Sequence, residues 1–228
     1  LTSMKLINPN TNQTVIIRNE VPQDYARVET MTRAAFYNEY MPGCIEHYLV
    51  RTMRGTDDFI DALDLVLEVD GKVIGNIMYT RAWLTDDDGN VKPILTFGPL
   101  SVDPGFQRQG YGKQLIEASF ELAQASGEDT VVIFGMPDNY VARGFKCGRD
   151  LNASLPDGSF PAAMMVKELT PGVLGGKHWA YTESKVMAVS VDDALKYDAT
   201  LPPLEKHWQP SQEAFNIISR STVTAPAE

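Results

Sequence analysis

The chain has 228 residues, 43% of them hydrophobic and 22% charged, with a formal charge of -10 at pH 7. This is the composition of one folded domain with an elaborated end, not of a disordered or fibrous chain. The negative charge opposes nonspecific attraction to nucleic acid, no apolar run approaches a membrane span, and the first residues lack a secretory pattern, so a cytoplasmic protein is expected.

Residues 1–13, with the turn-forming Asn8-Pro9-Asn10, read as a flexible lead-in. Val15-Ile16-Ile17 marks a short strand from Thr14 to Arg18. Val21-Pro22-Gln23-Asp24-Tyr25 then opens a helix, since proline's missing N–H costs nothing in a first turn. Tyr25, Val28, Met31, Thr32, Ala35 and Phe36 recur at helical spacing and give that helix its buried stripe. Pro42-Gly43 separates it from a second helix, expected from Gly43 to Met53. Asp64 to Val69 and Lys72 to Trp83 are strands joined by a tight turn at Asp70-Gly71. Asp86-Asp87-Asp88-Gly89-Asn90 is a solvated turn, without the alternation and terminal glutamate of a calcium loop.

A strand follows from Pro93 to Val102. The turn from Asp103 to Tyr111 leads into a helix that runs to Ala125, with Leu115, Ile116, Ser119, Phe120 and Ala123 on its core face. Thr130 to Phe134 is a compact strand, Pro137 to Ala142 a short helix, and Ala162 to Leu169 a late strand. Beyond Pro171-Gly172 the chain changes character: an alternating stretch at Lys185 to Val191, a short helix after Val191-Asp192-Asp193, and prolines at 202, 203, 210 and 226. Its aromatic residues, Trp179, Tyr181, Tyr197, Trp208 and Phe215, give it surface with which to dock. Residues 14–170 are therefore expected to form a core and 171–228 an extension packed on it. Covering a cleft, packing on the far side and forming a homodimer are all open to the extension.

The chemistry concentrates between Leu100 and Lys113. A strand, a glycine-bearing turn and an amphipathic helix in that order can aim backbone N–H groups and the positive helix end at a phosphate. Gly110 and Gly112 allow close approach, and Arg108 and Lys113 add charge. A helix start that serves only the fold is the competing reading of the same residues. The spacing departs from both the lysine-containing phosphate loop and the dinucleotide fingerprint. Cys44 and Cys147 sit at no metal-ligand spacing, and no metal is expected.

Gln107-Arg108-Gln109-Gly110-Tyr111-Gly112 matches the Gln/Arg-x-x-Gly-x-Gly/Ala signature of the GNAT N-acetyltransferase superfamily. Leu100-Ser101-Val102-Asp103-Pro104 resembles that family's central strand and its exit, and Gly135-Met136-Pro137-Asp138-Asn139-Tyr140 through Gly144-Phe145 resembles its second cofactor motif. The resemblance covers residues 14 to 170, and the two motifs together are far more specific than either alone. It implies an α/β fold with a mixed, predominantly antiparallel sheet splayed at its central strands, helices on both faces and a C-terminal extension. It also implies acetyl-coenzyme A as cosubstrate and direct attack by an amine, carried by a small molecule or peptide, in a ternary complex.

On the same resemblance, the pyrophosphate rests on Gln107, Arg108, Gln109, Gly110, Tyr111 and Gly112, with Lys113 beside it. The pantetheine pairs with the backbone of Leu100, Ser101 and Val102, and Asn139 caps its helix or contacts that arm. A backbone N–H near Leu100 or Val102 polarises the thioester carbonyl. Tyr140 stands where similar enzymes place the tyrosine that protonates the departing thiolate. Glu68 is the preferred acidic candidate for general base, ahead of Asp103, which more naturally ends the strand. His47 lies on a helical segment open to the acceptor side, with a packed or exposed histidine as the preferred reading, while His178 and His207 lie in the extension without a metal motif. Arg143, Lys146 and Arg149 are available to offset the adenosine phosphates, and a plain surface-charge role is equally open to each. The chain departs from the common second motif at Asn139 and Arg143, where aromatics are usual. Transfer of a longer acyl group, or a noncatalytic coenzyme A-binding or protein-interaction domain, are the competing readings of such a fold.

Overall fold

The computed structural model describes residues 3–225, so Pro226 of the extension lies outside the described residues. β1 (Met4–Ile7) and β2 (Thr14–Asn19) make an antiparallel hairpin, and α1 (Tyr25–Phe36) and α2 (Glu46–Met53) follow. A meander of β3 (Leu65–Val69), β4 (Lys72–Asp86) and β5 (Val91–Val102) leads to α3 (Tyr111–Ala125) and β6 (Thr130–Phe134). After α4 (Pro137–Tyr140) come β7 (Lys146–Cys147), β8 (Ala153–Ser154), β9 (Phe160–Pro161) and β10 (Met164–Glu168). The chain closes with β11 (Trp179–Glu183), α5 (Val191–Asp198), α6 (Pro210–Ser219) and β12 (Thr222–Val223).

The main sheet runs β1-β2-β3-β4-β5-β6-β10-β7, and β11 pairs with the far end of β4. Every pair along that path is antiparallel except β5–β6, where α3 makes the crossover a parallel pair requires. Side-chain alternation divides the core into layers. Leu65 and Leu67 pack with Leu115, Ile116 and Ala123 of α3 on one face, while Val66, Val73 and Met78 meet Val28, Met31, Val50 and Met53 on the other. Covering both faces explains why Leu65-Val66-Leu67 is an unbroken apolar run. The expected α/β sheet with helices on both faces is the observed architecture.

Several expectations change. Residues 4–7 are strand, not flexible lead-in, and the Asn8–Gln13 turn is closed by a bond from the Asn8 N–H to the Gln13 carbonyl (2.9 Å). α2 begins at Glu46 rather than Gly43, whose φ of +81° is left-handed and incompatible with a helix interior. Lys185 to Val191 is not a strand: Ser184 caps a single tight turn at Lys185–Met187. Sheet pairing also passes both limits of the expected core, through β1 at one end and β11 at the other.

The remaining extension docks through part of its expected aromatic surface, Tyr197 on His47 and Tyr48 and Phe215 on Tyr40, while Trp208 stands exposed, and through polar contacts. Asp198 of α5 accepts from Arg33 Nε (2.7 Å) and lies 3.0 Å from His47 Nε2, joining α5 to α1 and α2. Asn38, 4% exposed with φ +64°, donates to the Glu205 carbonyl (2.9 Å), while its own carbonyl accepts from Gln212 Nε2 (3.0 Å). β12 then pairs with β9 in a separate two-stranded sheet, which ties the tail to the segment before β10.

Candidate active site

β5 and β6 share a single register pair, Leu95↔Val131, and beyond it they diverge. On the β4 side, Gly98 and Pro99 together oppose Met78, a bulge that re-aims the strand at the divergence. The Asp103 N–H donates to the Ile74 carbonyl (2.8 Å), and Ser101 pairs opposite Asn76. Antiparallel alternation therefore turns the backbone N–H groups of Leu100 and Val102 toward the open gap. The Val102 carbonyl on that edge already accepts from Gln107 Nε2 at 3.0 Å.

That gap belongs to a cleft of about 1010 Å³. At one end the turn before α3 curves into a concavity, with φ +59° at Arg108 and +87° at Gly110, so that successive N–H groups converge. Gly110 has a second reason to lack a side chain: a Cβ there would lie 2.8 Å from Asn10 Nδ2. The β1–β2 hairpin holds this turn from behind. Asn8 and Asn10 both donate to the Gln109 carbonyl (2.9 and 3.1 Å), Asn8 also donates to Gln114 Oε1 (2.9 Å), and Thr11 Oγ1 lies 3.0 Å from the Tyr111 hydroxyl.

In the middle of the cleft stands Tyr140. Its ring meets Phe97 and Phe145 edge-on at 5.8 and 6.0 Å, and burial pushes its phenol up to about 12, so it carries its proton at neutral pH. Gly135 sets the ring's place, because a Cβ there would lie 2.7 Å from Tyr140 Cε2. The far end has a different character. Phe36, Tyr40, Leu49 and Met187 line it together with Glu46 and Glu183. Burial raises the Glu46 carboxyl, whose Oε2 accepts from the Ile45 N–H at 3.0 Å. Burial likewise raises Glu183, against a weaker opposing effect of the Tyr181 hydroxyl that donates to it at 3.2 Å.

The structure brings most of the expected residues together. Leu100, Val102, Gln107, Arg108, Gly112, Lys113, Asn139 and Tyr140 line the cleft. Ser101 turns its hydroxyl to Thr32 on the opposite face (3.2 Å), and Tyr111 packs inward beside Phe106. Gln109 and Gly110 shape the turn through their backbone. Glu68 does not reach the cleft: its carboxylate pairs with Arg18 at 3.1 Å, in a cluster with Asp24. Asp103 caps the turn through the Gly105 N–H (2.8 Å) and pairs with Arg27. Burial works against its charge, but Arg27 and that N–H prevail and hold it below the usual carboxylate range. Arg143 lines the cleft, whereas Lys146 and Arg149 do not.

The acidic end escaped the sequence reading. Glu46 follows a glycine turn rather than a motif, and Glu183 reaches the cleft only because β11 joins β4. Two rows of side chains elsewhere have nucleophile-like spacing. Cys44 Sγ lies 3.3 Å from His47 Nδ1, with Asp198 behind it, but Cys44 is 1% exposed and burial raises its thiol. Ser154, His178 and Asp87 are linked at 2.8 and 2.7 Å, yet Ser154 is fully buried and its hydroxyl also donates to the Leu155 carbonyl. Both rows tie the extension or its strand to the core. Among the described residues, no group of three or more His, Cys, Asp or Glu is arranged to hold a metal ion, and no helix is long and apolar enough to cross a membrane.

The family model described as "Acetyltransferase (GNAT) family" matches residues 33–148, just over half of the chain. The chain belongs to the GNAT acetyltransferase family. A relative in Escherichia coli K12, the uncharacterized N-acetyltransferase YjhQ, is 32% identical over 110 residues, 47% of this chain and 60% of that protein. The uncharacterized N-acetyltransferase YhbS of the same organism is 26% identical over 165 residues, 71% of this chain and 93% of that one. Two solved structures share the GNAT fold. YhbS from E. coli in complex with CoA aligns with a TM-score of 0.66 at 23% identity, over 77% of this chain and 92% of that one. A GNAT acetyltransferase from Brucella melitensis in complex with acetyl-CoA aligns at 0.61 and 24%, over 76% and 97%. In GNAT terms, the β5–β6 divergence is the splay expected of the fold, and the Gln107 to Gly112 turn is its signature.

Proposed function

We propose that this GNAT chain transfers an acetyl group from acetyl-coenzyme A to an amine by direct attack in a ternary complex. One observation carries the reading: a single cleft joins the concave turn, the open strand edge and a protonated tyrosine to a mouth lined by carboxylates. The turn fits a pyrophosphate because its left-handed residues converge N–H groups while Arg108, Lys113 and Arg143 supply positive charge nearby. The edge of Leu100 and Val102 fits an extended amide-bearing arm, which pairs with strand backbone as a further strand does. Acetyl-coenzyme A, when bound, supplies an acyl group activated as a thioester.

The chain's residues perform the proton work. An incoming ammonium has no free electron pair, so a carboxylate must take a proton before nitrogen attacks. Glu46 suits this role better than Glu68, since it lines the cleft and its partial burial raises its basicity. N–H groups on the strand edge stabilise charge gathering on the carbonyl oxygen. Tyr140 holds a proton at its hydroxyl for the departing sulfur, and the low-dielectric surroundings that raise the phenol also favour neutralising a thiolate.

Tyr140→Phe tests the assignment. General acids contribute about 100-fold or more, so kcat should fall by about that factor while KM for acetyl-coenzyme A stays within about twofold. The measurement is thiol release against a panel of amines. Unchanged kcat would remove Tyr140 from the mechanism, and failure of the unaltered protein to bind acetyl-coenzyme A would remove the reading itself.

A further inference from the structure

The cleft is polarised along its length. Arg108, Lys113 and Arg143 line it, and all belong to the signature turn, the start of α3 or the segment after α4. None of its lining cations comes from α1, α2 or β11, the elements that form the opposite mouth, where Glu46 and Glu183 stand. Neither glutamate has an ion-pair partner among the described residues. The third lining carboxylate, Asp138, sits on α4 beside Asn139.

One carboxylate is enough for the proposed reaction, since a single ammonium gives up a single proton before attack. The second, Glu183, is exposed at the mouth of the cleft with no cation of the described residues paired to it, which leaves its charge open to a cationic ligand. The same cleft is also lined by the apolar and aromatic Phe36, Tyr40, Leu49 and Met187. Such a lining accommodates a hydrocarbon spacer, and its rings also attract cations.

We infer that the acceptor is a diamine or polyamine: an amine whose reacting nitrogen is served by Glu46 while Glu183 holds a second ammonium across an apolar spacer. This rests on reading the cleft as an acetyltransferase site. Atoms balance: a C–N bond forms, the thioester C–S bond breaks, the proton from the attacking nitrogen goes to Glu46, and the sulfur leaves with a proton from Tyr140. The second ammonium takes no part in bond making. Glu183 keeps one oxygen for it while the other accepts from Tyr181.

The test compares a matched pair, 1,5-diaminopentane and 1-aminopentane, which differ in the second charge. With acetyl-coenzyme A saturating, kcat/KM for the diamine should exceed that for the monoamine by about tenfold or more, the scale of a charge-assisted contact. In Glu183→Gln the ratio should collapse toward about two, the statistical factor for two equivalent amines. A ratio near that factor in the unaltered protein, or an unchanged ratio in the variant, overturns the inference and leaves acetyl transfer standing. If neither amine turns over, calorimetric titration of both into the coenzyme A-loaded protein makes the same comparison, and equal or absent binding overturns it too. Failure to bind acetyl-coenzyme A in a separate titration sinks the acetyltransferase reading instead.

Discussion

Asp64 is a carboxylic acid placed where water scarcely reaches it. It is 6% exposed at the start of β3, accepts from Asn76 Nδ2 at 3.1 Å, and neighbours Glu20, which pairs with Arg54 at 2.6 Å. Burial first, then the Glu20 charge, raise the Asp64 carboxyl well above its ordinary range. A raised folded-state pKa contributes stability that is fully present below the unfolded value and is lost as pH climbs through the folded one. Asp64→Asn keeps an acceptor for Asn76 and removes the ionisation. Its melting temperature should match the unaltered protein near pH 4 and exceed it by about 2–4 °C at pH 8, equivalent to about 1 kcal/mol in a chain of this size. Thermal melts at the two pH values decide it, and equal gaps at both would mean that Asp64 is not the titrating group.

The β1–β2 hairpin is an element whose role is visible only in its contacts. Asn8 is fully buried and spends its side-chain amide on the Gln109 carbonyl and Gln114, so the hairpin fixes the curvature of the signature turn without facing the cleft. Asn8→Ala removes both bonds, together with the two that Asn8 Oδ1 accepts from the Asn10 and Thr11 N–H groups, and leaves Asn10 as the remaining side-chain donor to the Gln109 carbonyl. Loss of about 1–2 kcal/mol from the turn's preferred shape should raise KM for acetyl-coenzyme A by about tenfold, with kcat changed less than about twofold. Steady-state kinetics provide the check, and an unmoved KM would reduce the hairpin to a structural ornament. The turn itself was legible in the sequence because its glycines, flanking strand and amphipathic helix are contiguous. Its support was not, since Asn8-Pro9-Asn10 has the composition of any surface turn and its partners lie about 100 residues away.

At the scale of the whole molecule, the same distinction between local and distant pairing explains what the sequence revealed. Apolar periodicity located α1, α3 and the β3–β4 hairpin closely, and the resemblance supplied their order. The extension resisted because β11 is defined by its pairing with β4 and α5 by the contacts of Asp198, not by patterns of their own. Glu183, and with it half of the acidic mouth, was hidden for that reason. Asn38 concentrates the docking: its side chain reaches the Glu205 carbonyl, the His207 ring and the N–H of Gly43, while its backbone holds Gln212. Asn38→Ala should cost about 2–3 kcal/mol and lower the melting temperature by about 4–10 °C. Limited proteolysis should then cut between α5 and α6 sooner than in the unaltered protein; an unchanged digestion rate would show that docking does not depend on Asn38.

The opposed charges at the two ends of the cleft also bear on how a turnover concludes. Under the proposed reaction, the nitrogen that arrives as a cation departs as an uncharged amide, so Glu46 loses its grip on it and any second ammonium at Glu183 is the one charge that still holds the product. Discharge of the product thus begins in the chemistry, and added salt should slow the arrival of the amine far more than the exit of its acetylated form.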